Sequence, residues 1–343
     1  MNMPLKITLL LVLLCLVFIL FILDILIGPV TIPIKDILEI ITTGESMNPA
    51  WKTIIVGFRI PKAITAVIAG MALSVSGLQM QTIFRNPLAG PYVLGISSGA
   101  SLGVALVILG FPPLFAQGNI NPLSIWVQIM AAWIGAAAVL LLIMAISFRV
   151  RDIMTILILG VLFGSATSAI VSILQYFSHQ EQLKAFVVWS MGNLGNVTRG
   201  QLTVMSFTVL AGLIIAIFSG KMLNVMLLGE SYAKSMGLNI MLSRIVVFIS
   251  TSILAGTVTA FCGPIGFIGI AVPHITRILF KSADHRLLIP AVIMMGGILL
   301  LLSDIISQLP GGERTLPVNS VTALIGIPVV IWVIFRNRKI TSI

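Results

Sequence analysis

The sequence predicts an all-α integral membrane protein with about ten transmembrane helices. Of its 343 residues, 58% are hydrophobic and 9% are charged, and the mean hydropathy is +1.15. Soluble globular chains carry about 25% charged residues, so this composition excludes a soluble globular fold. The apolar residues also form segments long enough to cross a bilayer as helices. The net charge is +10, and most of the Lys and Arg residues lie between these segments. Basic residues in such loops orient a protein in the membrane, so the positive charge does not indicate nucleic-acid binding.

The apolar segments divide the chain into successive spans. The first run, 7–27, is expected to be a retained span, because it is long for a signal peptide and lacks an A-x-A cleavage site. A short amphipathic piece follows between Pro33 and Gly44, with Ile34, Ile37, Leu38 and Ile41 as its apolar residues. The remaining spans are expected at 59–82, 92–109, 124–147, 152–176, 201–219, 240–262, 264–280, 287–307 and 319–335.

These spans predict a single membrane domain over 1–343. Its first half covers about 1–219, a central loop covers about 220–239, and its second half covers about 240–343. With Lys6 placed inside, thirteen of the 20 Lys and Arg residues fall on the cytoplasmic side, so both termini and the central loop are expected there. The outer set is Lys35, Lys52, Arg59, Lys62, Lys184, Arg199 and Arg314.

A faint internal repeat relates two segments that lie five spans apart. Ile68-Ala69-Gly70 precedes Gly77, and Leu254-Ala255-Gly256 precedes Gly263 at the same interval. An odd number of spans reverses the direction of the chain, so the repeat predicts an inverted-topology arrangement. The alternative is chance, since small residues are common in membrane helices.

The central stretch KMLNVMLLGESYAKSMGLN interrupts the apolar segments with an amphipathic patch. Leu228, Tyr232 and Met236 would share one stripe of a short helix. Gly229 and Gly237 bracket it, and Gly237 stands where a left-handed helix stop is expected. Such a helix is well placed to contact another protein, and the alternative is a solvated connector.

A second stretch, FRNPLAGPYVLGISSGASLG, predicts a broken helix on the cytoplasmic side. Pro87 and Pro91 exclude a continuous helix. Beyond them Gly95, Gly99 and Gly103 recur every four residues, a face that either packs closely on another helix or lines a polar pathway. A break in the helix at its cytoplasmic end favours a gate at this position.

Four ordered motifs resemble the FecCD-type permease family over about residues 59–336: RNPLAGPYVLGISSGASLG, LGESYAKSMGLN, GPIGFIGIAVPHITR and LPVNSVTALIGIPV. These permeases are membrane subunits of ABC importers for iron-siderophores, haem and vitamin B12. The resemblance implies a type II importer permease in the bacterial inner membrane, with no catalytic site, cofactor or metal of its own. The implied partners are cytoplasmic ATPase subunits, an extracytoplasmic substrate-binding protein and a second permease subunit, identical or similar.

The family motifs assign functional residues one by one. Contact with the ATPase is implied for Gly229, Glu230, Ala233, Lys234 and Gly237. The cytoplasmic gate is implied for Asn86, Pro87 and Leu88. Docking of the binding protein is implied for Arg59 and Lys62. The family has a further outer arginine where this chain has Gln308, and Arg314 nearby is its substitute for docking. Lys62 also departs from the family's R-x-P-R, because lysine keeps the charge but loses bidentate geometry.

An ion-coupled secondary transporter is the alternative function class. Such carriers usually need ionisable residues near the middle of the membrane, whereas Asp24 and Asp304 are expected toward the outer ends of their spans. His274 is expected to be hydrogen-bonded within the bundle rather than to relay protons. The cargo is expected to be a ferric siderophore, the commonest case in the family, with haem and cobalamin as alternatives.

Overall fold

The computed structural model describes residues 3–44, 48–110, 124–150, 152–309 and 315–338. Within these ranges the chain forms thirteen helices and no strand, which confirms the all-α prediction. The helices are α1 Met3–Leu26, α2 Ile34–Thr43, α3 Pro49–Ile83, α4 Ile96–Gly110, α5 Ile125–Arg149, α6 Ile153–Phe177, α7 Gln180–Ser190, α8 Arg199–Leu227, α9 Glu230–Ser235, α10 Ile240–Cys262, α11 Ile268–Phe280, α12 His285–Gln308 and α13 Val318–Arg338.

Each of the ten expected spans corresponds to one of these helices. Seven helices are long and apolar enough to cross a membrane: α1, α3, α5, α6, α8, α10 and α12. The other three, α4, α11 and α13, have shorter apolar stretches. Helix α3 begins ten residues before the expected position, because Asn48 accepts a hydrogen bond from Ala50 N and Pro49 occupies the first turn.

Two short helices show the limits of the apolar pattern. Helix α2 forms as expected and ends at Gly44 in the left-handed conformation, but its buried side chains are Ile37 and Ile40. Of the four apolar residues expected to form its stripe, Ile34, Leu38 and Ile41 are instead exposed. Helix α7 lies in a stretch that the sequence reading left between two spans, and it buries only Phe186.

The core is organised around α3, which packs against α12, α10, α11 and α8. Glycines allow its closest approaches. A Cβ added at Gly70 would lie 2.2 Å from Gly296 O, and one added at Gly77 would lie 1.7 Å from Gly269 O. Because no side chain fits at these distances, the small residues of α3 set the spacing of the central helices.

The small residues of α4 serve close packing rather than a pathway. A Cβ at Gly99 would lie 2.5 Å from Gly135 O, and one at Gly103 would lie 2.1 Å from Ala131 O. Both acceptors belong to α5, against which α4 packs extensively. Of the two interpretations of this glycine face, helix packing is therefore the one that the contacts favour.

Candidate coupling and gating site at the cytoplasmic face

Helix α9 forms a compact element between the long helices α8 and α10. Gly229 precedes it with φ +116°, a conformation that side chains rarely adopt. At its end, Gly237 has φ +83°, Gly237 N donates to Lys234 O, and Leu238 N donates to Ala233 O at 3.0 Å. This pair of hydrogen bonds is the Schellman arrangement, so the predicted glycine stop is confirmed.

One charged pair and one small residue attach α9 to the rest of the protein. Glu230 Oε1 accepts a hydrogen bond from Arg244 Nη2 of α10 at 2.6 Å, and the Arg244 side chain is buried. Ala233 is fully buried. Glu230 is therefore committed to an internal ion pair, which leaves Lys234 as the exposed charge of this helix.

The three residues of the predicted apolar stripe are exposed, although only Tyr232 lies within α9, while Leu228 caps α8 and Met236 caps α9. Leu228, Tyr232 and Met236 are 63%, 55% and 58% exposed. Beside them lies a groove of about 640 Å³, lined by α9, the end of α5 and the start of α10. An exposed apolar stripe next to a groove that also holds charged side chains is typical of a surface that binds another protein.

The segment 84–90, which we call the gate loop, carries the three predicted gate residues. The Asn86 side chain accepts a hydrogen bond from Leu88 N at 2.9 Å, and Ala89 N donates to Asn86 O, so the loop is a tight turn. Pro87 and Leu88 are exposed. The predicted break in the helix is confirmed, because α3 ends at Ile83 and α4 begins only at Ile96.

His274 of α11 holds the gate loop from one side. Its Nε2 lies 2.6 Å from Pro87 O, and since a carbonyl only accepts, this nitrogen carries the proton. The expectation that His274 is hydrogen-bonded within the bundle is confirmed. The turn before the loop is fixed by Gln81, whose side chain accepts from Arg277 Nη1 at 2.6 Å and donates to Ile270 O.

His285 forms a second buried network under the gate loop that the sequence reading missed. Its Nε2 lies 2.8 Å from Thr82 Oγ1, and its Nδ1 lies 2.7 Å from Asn224 Oδ1. Asn224 Nδ2 in turn donates to Asp284 Oδ1. The Arg286 backbone N–H, followed by the Asn224 amide, lowers the pKa of the Asp284 carboxyl below its ordinary value. No spacing pattern marks this set, since its members come from α3, α8 and the start of α12.

At the opposite end of the bundle, the structure corrects the expected exposure of Arg59. The arginine is 7% exposed, and its guanidinium donates to the backbone carbonyls of Ile25, Leu26 and Val30. These acceptors lie at and after the end of α1, where the last carbonyls of a helix lack intrahelical partners. Arg59 therefore caps α1, and little of its side chain is exposed.

Lys62 also has an internal partner. Its Nζ lies 2.9 Å from Asp304 Oδ2, with 21% of the lysine side chain exposed and 2% of the aspartate. Gln308 Nε2 donates to Asp24 Oδ1 at 3.2 Å and to Asp304 Oδ2 at 3.1 Å, so one amide bridges both carboxylates. The sequence places Asp304 toward one end of its span but gives no sign of this pairing with Lys62. Arg314, the third predicted docking residue, lies outside the described residues.

A cavity of about 400 Å³ opens beside this polar cluster. It is lined by Lys62, Asp304 and Ser307 together with the loop after α7, which includes Asn193 and Asn196. Among the described residues, no group of three His, Cys, Asp or Glu side chains is placed to hold a metal ion.

Comparisons with known proteins agree with this geometry. The model of the FecCD transport family matches residues 15–336. The chain is 35% identical over 302 residues to the hemin transport system permease HmuU of Yersinia pestis, covering 87% of this chain and 86% of that protein. It is 36% identical over 299 residues to the vitamin B12 import permease BtuC of Klebsiella pneumoniae, covering 87% of each chain.

A solved structure shares the fold over nearly the whole chain. It is described as an inward-facing conformation of a putative metal-chelate type ABC transporter, and it is 26% identical with a TM-score of 0.82. The match covers 96% of this chain and 99% of that one.

Proposed function

Since this chain belongs to the FecCD transport family and is an ABC importer permease, we propose that it moves a metal chelate into the cytoplasm, with a ferric siderophore as the first candidate cargo. It works in the bacterial inner membrane with both termini inside. A second permease subunit, identical or similar, completes the pathway. ATP is hydrolysed by separate cytoplasmic subunits, and a binding protein delivers the chelate from outside.

The observation that carries this proposal is the construction of α9. The helix is fixed to the bundle by the Glu230–Arg244 ion pair and by buried Ala233, while its apolar stripe remains exposed. A carrier driven by an ion gradient has no use for such a helix, whereas an importer needs a cytoplasmic surface that receives force from an ATPase. Gly229, Glu230, Ala233, Lys234 and Gly237 are assigned to this coupling element.

Asn86, Pro87 and Leu88 are assigned to the cytoplasmic gate. Leu88 is 39% exposed at the tip of the gate loop, where an apolar side chain seals a passage by excluding water. On the outer side, docking of the binding protein is assigned to Arg59, Lys62 and Arg314. Lys62 keeps part of its surface open to the adjacent cavity despite its pairing with Asp304.

The cargo proposal rests on relatives whose names specify related compounds. Hemin and vitamin B12 are the compounds in the names of the permeases from Yersinia pestis and Klebsiella pneumoniae. Both are bulky metal chelates, as ferric siderophores are. Haem and cobalamin are therefore the alternative cargoes. The chain is almost equally similar to the hemin permease, at 35% identity, and to the vitamin B12 permease, at 36%, so the transport experiment includes both compounds.

Uptake into proteoliposomes tests the proposal. The permease is reconstituted with its ATPase and its binding protein, and ⁵⁵Fe-siderophore, ⁵⁵Fe-haem and labelled cobalamin are offered in parallel. We expect saturable accumulation of one chelate that requires ATP. Accumulation driven by a proton or sodium gradient without ATP would contradict the proposal, and accumulation of haem or cobalamin alone would replace the siderophore as cargo.

A further inference from the structure

We propose that Arg85 is the residue through which the coupling helix moves the cytoplasmic gate. The inference rests on the proposed function, since it joins the element assigned to the ATPase with the element assigned to the gate. Arg85 belongs to the gate loop, and its side chain reaches the end of α8, directly before α9.

The contact is made at the hinge between α8 and α9. Arg85 Nη2 donates to Met226 O at 3.3 Å, and Gly229 N donates to the same oxygen at 3.2 Å. A Cβ added at Gly229 would lie 3.2 Å from Arg85 Nη2, so the guanidinium packs directly on the hinge glycine. Both hydrogen bonds end on one carbonyl in the last turn of α8, where a cation is favourable.

The backbone of Arg85 supports a specific role for its side chain. Its φ is +46°, in the left-handed region, which residues other than glycine rarely adopt. Arg85 N donates to Thr82 O at the end of α3, a position where glycine commonly ends a helix. Such strain persists where surrounding contacts determine it, and the contact at Met226 is one of them.

The gate loop is thereby held at two points that belong to different helices. His274 of α11 fixes Pro87 O, and the hinge before α9 holds Arg85. Only Asn86 separates the two attached residues. A displacement of α9 by a bound ATPase would therefore move one end of the turn while α11 retains the other, which changes the position of Leu88.

The alternative is that Arg85 only caps α8. The two roles differ in what they affect. A cap contributes to folding and assembly, so its loss lowers hydrolysis and transport together. A coupling residue sets how much transport each hydrolysed ATP produces, and its loss leaves assembly and hydrolysis in place.

The test compares Arg85→Gln, Arg85→Lys and a matched control, Arg286→Gln, in the reconstituted transporter with its ATPase and binding protein. Arg286 is also an exposed arginine of the cytoplasmic face. ATP hydrolysis and uptake are measured together for ferric siderophore, haem and cobalamin. We expect R85Q to hydrolyse ATP within about twofold of wild type while chelate per ATP falls at least about fivefold, the lower end of typical coupling strengths. R85K should recover part of the ratio, and R286Q should keep it.

A spectroscopic measurement keeps the inference testable if R85Q assembles poorly. A spin label at Leu88→Cys, in a chain with Cys15 and Cys262 replaced, should change mobility on ATP binding with Arg85 present. That response should be retained in part in R85K and lost in R85Q. An unchanged chelate-to-ATP ratio in R85Q, or a spin-label response in R85K and R85Q equal to that with Arg85 present, would overturn the inference while leaving the proposed function intact. A wild-type complex that accumulates no chelate would instead overturn the proposed function.

Discussion

Single residues at the outer end of the bundle show how a membrane protein accommodates buried charge. Arg59 satisfies the free carbonyls at the end of α1, and Lys62 neutralises Asp304 while Gln308 connects Asp304 to Asp24. An unpaired charge in this position would be costly, so each ionised group needs a partner. The sequence places both cations near the outer surface, but it gives no sign that their partners come from α1 and α12.

This pairing predicts that Lys62 stabilises the helix bundle. Lys62→Met retains the volume but leaves the buried Asp304 carboxylate without its cation. We expect a loss of about 2 kcal/mol, less than the 3–5 kcal/mol typical of a broken buried pair, because 21% of the lysine side chain is exposed. The measurement is the midpoint of unfolding of the detergent-solubilised permease.

Two further variants separate pairing from a general effect of losing a lysine. Lys184→Met removes an exposed outer lysine of α7 and should leave the midpoint unchanged. Lys62→Met combined with Asp304→Asn removes both charges of the pair and should recover most of the lost stability. Equal midpoints for K62M and K184M would show that the ion pair contributes nothing to folding.

At the scale of helices, α9 and the gate loop could be predicted in detail because their signals are local. Gly237 indicates the left-handed stop, and the prolines around Gly90 indicate the break between α3 and α4. The stripe was predicted only in part, because Tyr232 lies in α9 and Met236 caps it, whereas Leu228 lies at the end of α8 before Gly229. Local chemistry determined the glycine stop and the helix break, so the sequence sufficed for both.

The misjudged elements depend on contacts with distant parts of the chain. Helix α2 has apolar residues around most of its circumference, so the neighbouring helices decide that Ile37 and Ile40 are buried. Helix α7 contains polar residues in its first turns and gives no continuous apolar run. The contacts of Arg85, His285 and Lys62 likewise join residues more than a hundred positions apart, and no spacing rule predicts them.

The exposed stripe of α9 predicts that its aromatic residue anchors the ATPase. Tyr232→Ser should weaken association of the ATPase by about tenfold or more, because truncating a central aromatic at an interface commonly costs about 2 kcal/mol. The fold should be retained, since Tyr232 is 55% exposed. Affinity is measured with the purified permease and ATPase in nanodiscs.

Tyr176→Ser is the matched control for this change. Tyr176 is 84% exposed at the far end of α6, away from α9, and its loss should leave the affinity for the ATPase unaltered. If Tyr232→Ser binds the ATPase as tightly as wild type does, the stripe is not the contact surface, and the neighbouring polar groove around Lys234 becomes the candidate.

At the scale of the whole molecule, the distribution of charge predicts which face is cytoplasmic. Helix α9 and the end of α5 line the same groove, and α6 begins on that side of the bundle, directly after α5. Helix α6 has 25 residues and is therefore about 37 Å long, so α7, which follows it, lies at the other end of the bundle. Lys234 and Lys184 are therefore exposed at opposite ends of the bundle. The excess of Lys and Arg on the α9 side assigns that end to the cytoplasm.

Labelling of single cysteines checks this orientation. In a chain with Cys15→Ser and Cys262→Ala, we introduce Lys234→Cys or Lys184→Cys and treat intact cells with a membrane-impermeant maleimide. We expect Lys184→Cys to react in intact cells and Lys234→Cys to react only after the membrane is opened, because each side chain is exposed at its own end. The parent chain without either cysteine should not react. Labelling of Lys234→Cys in intact cells would show that the topology is the inverse of the predicted one. Helix α9 would then be out of reach of a cytoplasmic ATPase.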